Sequence, residues 1–213
     1  MQRIAIIDYG MGNLRSVARA MQQAAPDAEV VITADADVLA AADRIVCPGQ
    51  GAAADCMAAL VNGGMDDEVR RAQQEKPFLG ICMGLQVLFT DSEENGGTTC
   101  LDIFSGHIRR FAEPHLDPTS GERLKVPHMG WNTVRQCLDH PLWQGIDDGA
   151  HFYFAHSYWC DLADATLVSG ECTHGHPFAA AVADGCSFAC QFHPEKSARD
   201  GLRLLANFAH WTP

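Results

Sequence analysis

Residues 77–89 read PFLGICMGLQVLF. Phe78, Leu79 and Ile81 form a short apolar run that predicts a buried strand, and Gly80–Gly84 is a small-residue turn. Leu85, Val87, Leu88 and Phe89 look like the opening of a helix. A G-x-C-x-G at a strand-to-helix junction has a mechanical logic: a nucleophile in a sharp, strained turn is lifted clear of the sheet, and flanking glycines leave room for the bend. Cys82 would lie at a helix N-terminus, which favours thiolate over thiol, and the next N–H, that of Met83, points the same way as an oxyanion donor. The plain structural alternative is a buried cysteine between packing glycines.

A second motif weighs against that alternative. Gln191-Phe192-His193-Pro194-Glu195 follows the strand-like run FAAAVADGCSFACQF. A cysteine nucleophile needs a base close in space, and the base needs an orienting group. His193 and Glu195 are two apart, so extended backbone projects them to one side. Glu195 would then hold one ring nitrogen while the other faces Cys82. The competing reading is a surface His-Pro-Glu turn.

Upstream, strands are expected at Arg3–Asp8, Ala28–Thr33 and Asp43–Cys47, with helices at Leu14–Ala24, Val38–Ala42, Ala52–Leu60 and Asp67–Gln74. This rhythm predicts an α/β fold with a doubly wound, mostly parallel central sheet and flanking helices. Sites in such sheets lie at the C-terminal strand ends, where Asp8, Pro48–Gly51 and Cys82 fall. Downstream, 91–99 (DSEENGGTT) and Glu113–Glu122 read as loops. Ser105–Phe111, Leu124–Val126, Trp131–Gln136, Ala150–Cys160 and Thr166–Thr173 read as extra short strands, and Ser197–His210 as a closing helix with Leu202, Leu204, Leu205 and Phe208 on its apolar face. No linker, repeat or low-complexity segment interrupts 1–213, which is read as a single domain.

Three further stretches need a reading. GMGN at 10–13 lacks the third glycine of a dinucleotide turn. In CPGQGAA at 47–53, Gly49 and Gly51 flank Gln50 and permit unusual peptide orientations. The segment is then either the source of a second oxyanion donor, the Gln50 N–H, or a plain Gly-rich connection. Cys172-x-His174-x-His176 has no evident further ligand and adjoins Gly175 and Pro177, so no metal is assigned, and the reading calls for no cofactor.

Composition sets outer bounds. The 213 residues are 47% hydrophobic and 20% charged, with a formal charge of −12, which argues against a nucleic-acid or anionic-membrane surface. No apolar run approaches the ~18 residues of a membrane span, and MQRIAIIDYG enters a strand without a cleavable signal pattern. The nine cysteines are scattered without a C-x-x-C pair and read as reduced thiols of a cytoplasmic protein.

GICMGLQ together with QFHPEKS resembles the class I (triad) glutamine amidotransferases. DYGMGNL, CPGQGAA, VPHMGWN and YFAHSY are similar, more narrowly, to glutaminase subunits of imidazole glycerol phosphate synthase. The likeness runs from Asp8 to Ser197, and it departs from the expected pattern at Ala52-Ala53, where a Phe usually follows the second glycine. The resemblance implies a flavodoxin-like fold, hydrolysis of L-glutamine by Cys82, His193 and Glu195, and an oxyanion hole from the Gln50 and Met83 N–H groups. It places Gly49, Gly51, Gln86, His156, Ser157 and Tyr158 at the substrate. It also implies a heterodimer with a (β/α)8 cyclase subunit met by Asn13, Met129, Trp131, Asn132, Tyr153 and Lys196. Because Gly49 and Gly51 make a peptide reorientation cheap, and a standing glutaminase would waste glutamine, the free chain is expected to point the Gln50 N–H away from the pocket until partner and acceptor bind. The alternatives are a glutaminase serving an anthranilate, guanylate or pyridoxal phosphate synthase, and a catalytically silent interaction subunit.

Overall fold

The computed structural model of the chain describes residues 1–213. Its first half alternates strand and helix: β1 (Arg3–Ile7), α1 (Leu14–Ala24), β2 (Glu29–Thr33), α2 (Ala36–Ala41), β3 (Arg44–Gly49), α3 (Ala53–Asn62), α4 (Asp66–Glu75), β4 (Phe78–Cys82) and the single turn α5 (Met83–Gln86). Strands then dominate: β5 (Phe89–Ser92), β6 (Thr98–Thr99), β7 (Phe104–Arg110), β8 (His128–Gln136), β9 (Ala150–His156), β10 (Tyr158–Leu162), β11 (Val168–His174), β12 (His176–Asp184) and β13 (Ser187–Cys190), before α6 (Ala198–His210).

The sheet runs β2-β1-β3-β4-β13-β12-β10-β7-β5-β6. From β2 to β13 all neighbours are parallel, and β12 onward is mainly antiparallel. Alternation along each parallel strand builds two cores. Ile4, Ile6, Leu79, Ile81 and Phe188 face α1 and α6 through Val17, Met21, Leu204 and Phe208. Ala5, Ile7, Ile45, Phe78 and Ala189 face α2, α3 and α4 through Leu39, Met57, Leu60 and Val69. Helices on both faces of a parallel sheet make the doubly wound arrangement, and the C-terminal ends of β1, β3 and β4 come together on one edge.

Several expected elements differ. The helix after Cys82 stops at Gln86, and Phe89 opens a strand instead, because the carbonyls of Val87, Leu88 and Phe89 accept the N–H groups of residues 101–104. The stretch 91–99 is therefore no plain loop: β5 pairs with β6 and β7 through it. Leu124–Val126 is no strand; only Arg123 makes an isolated bridge, to Leu116, and Pro127 lacks the N–H a ladder would need. Ala150–Cys160 breaks at Ser157, where the chain leaves its pairing with β8 and joins β7. The strand expected from Trp131 begins earlier, at His128, and so takes in Met129.

Candidate active site

Cys82 ends β4 with φ 55 and ψ −108, a left-handed conformation that costs a non-glycine residue about 1–3 kcal/mol and persists only under tight packing. The packing comes from glycines. A Cβ on Gly84 would lie 1.8 Å from the Cys47 carbonyl oxygen, one on Gly80 2.7 Å from the Gly84 carbonyl oxygen, and one on Gly49 2.4 Å from Tyr9 Oη. The Tyr9 hydroxyl donates to the Pro48 carbonyl at 2.7 Å and ties β3 into the same knot. No other residue type fits these backbone approaches.

The triad candidates meet at this turn. The His193 and Glu195 side chains are 3% and 0% exposed, and His193 Nδ1 sits 2.9 Å from Glu195 Oε1. With Nδ1 so engaged, Nε2 is the ring nitrogen left for Cys82, which lines the same cavity. Burial alone would lower the His193 pKa, but bonding to Cys82 and Glu195 outweighs it and raises the group to about 9. His193 is therefore an imidazolium at neutral pH. Because α5 is one turn long, the aligned-dipole contribution expected from a longer helix is small, and the imidazolium is the main charge beside the sulfur. Burial pushes the Cys56 thiol up to about 11 and Cys47, Cys100 and Cys172 up to about 12, which keeps them protonated at neutral pH.

A cavity of about 320 Å³ opens in front of Cys82. Gln50, Gly51, Met83, Gln86, His156, Ser157, Tyr158 and His193 line it with Cys82, whereas Gly49 lies behind the wall. Gly51 has φ +101, and the Gln50 N–H donates to no other group of the protein. Gln86 Nε2 donates to the Tyr158 carbonyl and to Gln191 Oε1, while its own Oε1 is buried without a donor. No group of three or more His, Cys, Asp or Glu side chains is placed to hold a metal ion; His174 and His176 flank the Gly175 turn between β11 and β12.

The family profile described as "Glutamine amidotransferase class-I" matches residues 5–211. The chain is 55% identical over 212 residues to the imidazole glycerol phosphate synthase subunit HisH of Dechloromonas aromatica, covering 100% of this chain and 98% of that one. It is 54% identical over 214 residues to HisH of Methylococcus capsulatus, with 100% and 98% covered. The chain belongs to the HisH subunits of the class-I glutamine amidotransferases. Among solved structures, PurLQS from Thermotoga maritima matches with TM-score 0.73 at 17% identity, covering 98% of each chain. A putative GMP synthase subunit from Thermoplasma acidophilum matches with TM-score 0.69 at 16% identity, covering 99% of this chain and 93% of that one. At these identities the two likenesses speak for the fold, the class-I amidotransferase α/β sheet.

Around the cavity of this HisH-family chain lies an apolar rim. Met129 is 65% and Trp131 52% exposed, and both stand on β8. Trp131 meets Tyr153 edge-on, with centroids 6.2 Å apart, and Lys196 Nζ lies 5.7 Å from the Tyr153 ring centre. Asn132 is turned inward: its amide donates to His128 Nε2 and the Thr173 carbonyl. Asn13 precedes α1 without a capping bond, beside Gly12, whose backbone packs on Gly49.

Sequence reasoning missed three residues of this HisH-type site. Glu94, read as part of a solvated loop, lines the cavity, and its Oε2 accepts the Ala53 N–H at 2.6 Å. Ser197 accepts the Tyr153 N–H and donates to the His193 carbonyl, clamping β9 to the triad turn. Gln191 sits fully buried with Nε2 3.8 Å from Cys82 Sγ; the alternation that pairs His193 with Glu195 would have pointed to it.

Proposed function

We propose that the chain hydrolyses L-glutamine to glutamate and ammonia through a thioester on Cys82, and passes the ammonia to a cyclase subunit of (β/α)8 form in imidazole glycerol phosphate synthase. The function named for its HisH relatives supports the pathway, histidine biosynthesis. Cys82 and His193 lining one cavity, with buried Glu195 held on the far ring nitrogen of His193, support the chemistry.

The Cys82 thiolate adds to the side-chain amide carbonyl, and the N–H groups of Gln50 and Met83 take the oxyanion. Imidazolium His193 gives its proton to the departing nitrogen, ammonia leaves, and neutral His193 then takes a proton from the water that attacks the thioester. Glu195 holds the ring and stabilises its charge. At the other end, Glu94 is the one carboxylate lining the cavity and suits the α-ammonium group. Gln86 shapes the pocket wall, and main-chain groups of 156–158 frame the amino-acid end. The rim of Met129, Trp131, Tyr153 and Lys196 receives the partner, with Asn13 beside it. Nine unpaired cysteines suit a reducing cytoplasm.

The test is Cys82→Ala in the reconstituted synthase. Glutamine-dependent synthesis should fall by several orders of magnitude, on the order of 10⁶ for loss of a nucleophile, while synthesis from added ammonia persists. Equal loss of both would contradict the reading.

A further inference from the structure

We propose that Gln191 is a further catalytic residue: its amide N–H holds the Cys82 sulfur and stabilises the thiolate, first as nucleophile and later as the group expelled from the thioester. The inference rests on the glutamine hydrolysis proposed above. Gln191 is fully buried, and Nε2 lies 3.8 Å from Sγ, the length of a hydrogen bond to sulfur.

Which end of the amide faces the sulfur follows from its neighbours. Gln86 must turn its Nε2 toward the Tyr158 carbonyl, which can only accept, and the same nitrogen then donates to Gln191 Oε1 at 2.8 Å. The Cys160 thiol stands 3.9 Å from that oxygen on its other side, and burial pushes Cys160 up, so it remains an S–H donor. Reversing the Gln191 amide would set its NH₂ against two donors and its oxygen against the sulfur, in a fully buried place where neither could be solvated. The main chain gives no slack, since the Gln191 N–H is fixed to the Ala180 carbonyl at 2.8 Å.

The chemistry explains why a second donor is useful. His193 is a variable partner of Cys82. It surrenders its proton when ammonia leaves, so the thioester faces a neutral ring. When water attacks, the proton goes to His193, the C–S bond breaks and the electron pair returns to Sγ. An amide N–H does not titrate in this range, so Gln191 can hold the sulfur while the histidine cycles.

The test is alkylation of Cys82 by iodoacetamide across pH, with the chain in complex with its cyclase partner and the Cys82 peptide read by mass to separate it from the other eight cysteines. Gln191→Leu should slow Cys82 alkylation at neutral pH about tenfold, the size of one hydrogen bond to a charged group, and displace the profile to higher pH. Gln191→Glu keeps the shape, places an oxygen against the sulfur, and should displace it further. Co-elution with the cyclase subunit and an unchanged unfolding midpoint report intact docking and folding; if the Leu variant loses them, the Glu variant decides. A profile that overlays the native one in a folded variant overturns the proposal, because a purely structural role would not move it. Native protein that alkylates at Cys82 but hydrolyses no glutamine would instead sink the functional reading and leave the Gln191 result standing.

Discussion

Charge at single residues sets two opposing limits on this chain. His128 Nδ1 and His156 Nε2 are 2.9 Å apart, and His156 Nδ1 donates to the Tyr158 carbonyl. Both rings must be neutral for that chain of bonds to hold. Burial first, and neighbouring histidines after it, lower His128 to about 4 and His156 to about 3. Their folded values lie below the unfolded one, about 6.5, so their contribution is complete above pH ~6.5 and is lost as pH falls toward 4 and 3. The slope is at most about 1.4 kcal/mol per pH unit for each ring. His193 runs the other way: raised to about 9, it contributes fully below pH ~6.5 and loses that contribution as pH rises through 9. Urea unfolding from pH 4 to 9 should show a maximum near neutrality, and His128→Leu should flatten the acid limb; an unchanged acid limb would refute the assignment. At Glu94, Gln substitution keeps an oxygen for Ala53 but removes the charge. It should raise the glutamine KM about tenfold or more, as expected for losing a charged hydrogen bond, with kcat less affected. Steady-state kinetics in the complex would check this.

At the scale of elements, the turn after β4 is held by backbone contact more than by side chains. Gly84→Ala forces a Cβ onto the Cys47 carbonyl and should cost about 3 kcal/mol or more, along with the Cys82 geometry. Gly64→Ala, at φ +65 with open space around it, should cost only about 1–2 kcal/mol of conformational strain. Equal denaturant midpoints for the two would show that close approach is not what the elbow requires. The elbow was legible in the sequence because G-x-C-x-G is local, and the parallel strands were legible because apolar runs such as RIAII alternate with amphipathic helices. Phe89 and Leu124–Val126 were misread for one reason: short apolar runs carry no period of their own, and partners far along the chain decide their state. Residues 101–104 capture 87–89, while 124–126 gain only isolated bonds, the Leu124 N–H to the His115 carbonyl and His174 Nε2 to the Lys125 carbonyl, and no strand ladder. Glu94 was illegible for the same reason, since only the fold brings its carboxylate to the N-terminus of α3.

At the scale of the whole molecule, the cavity and the apolar rim are joined by backbone. The Tyr153 carbonyl accepts the His193 N–H, and the Tyr153 N–H is held by Ser197, so a partner pressing on Trp131 and Tyr153 would bear directly on the triad turn. Trp131→Ala should leave the isolated chain's stability within about 0.5 kcal/mol, as for other surface changes. It should weaken the complex by about 2 kcal/mol, a loss of roughly thirtyfold in affinity. Calorimetric titration against the cyclase subunit separates the two, and unfolding of the free variant would mark Trp131 as core instead. The central claim is that glutamine is opened by Cys82 through a thioester. Quenching the complete synthase during turnover and weighing the Cys82 peptide tests it most directly. The account predicts a γ-glutamyl group on Cys82 that disappears when glutamine is omitted. Glutamate release that continues in Cys82→Ala, with no adduct ever found on the native peptide, would contradict it.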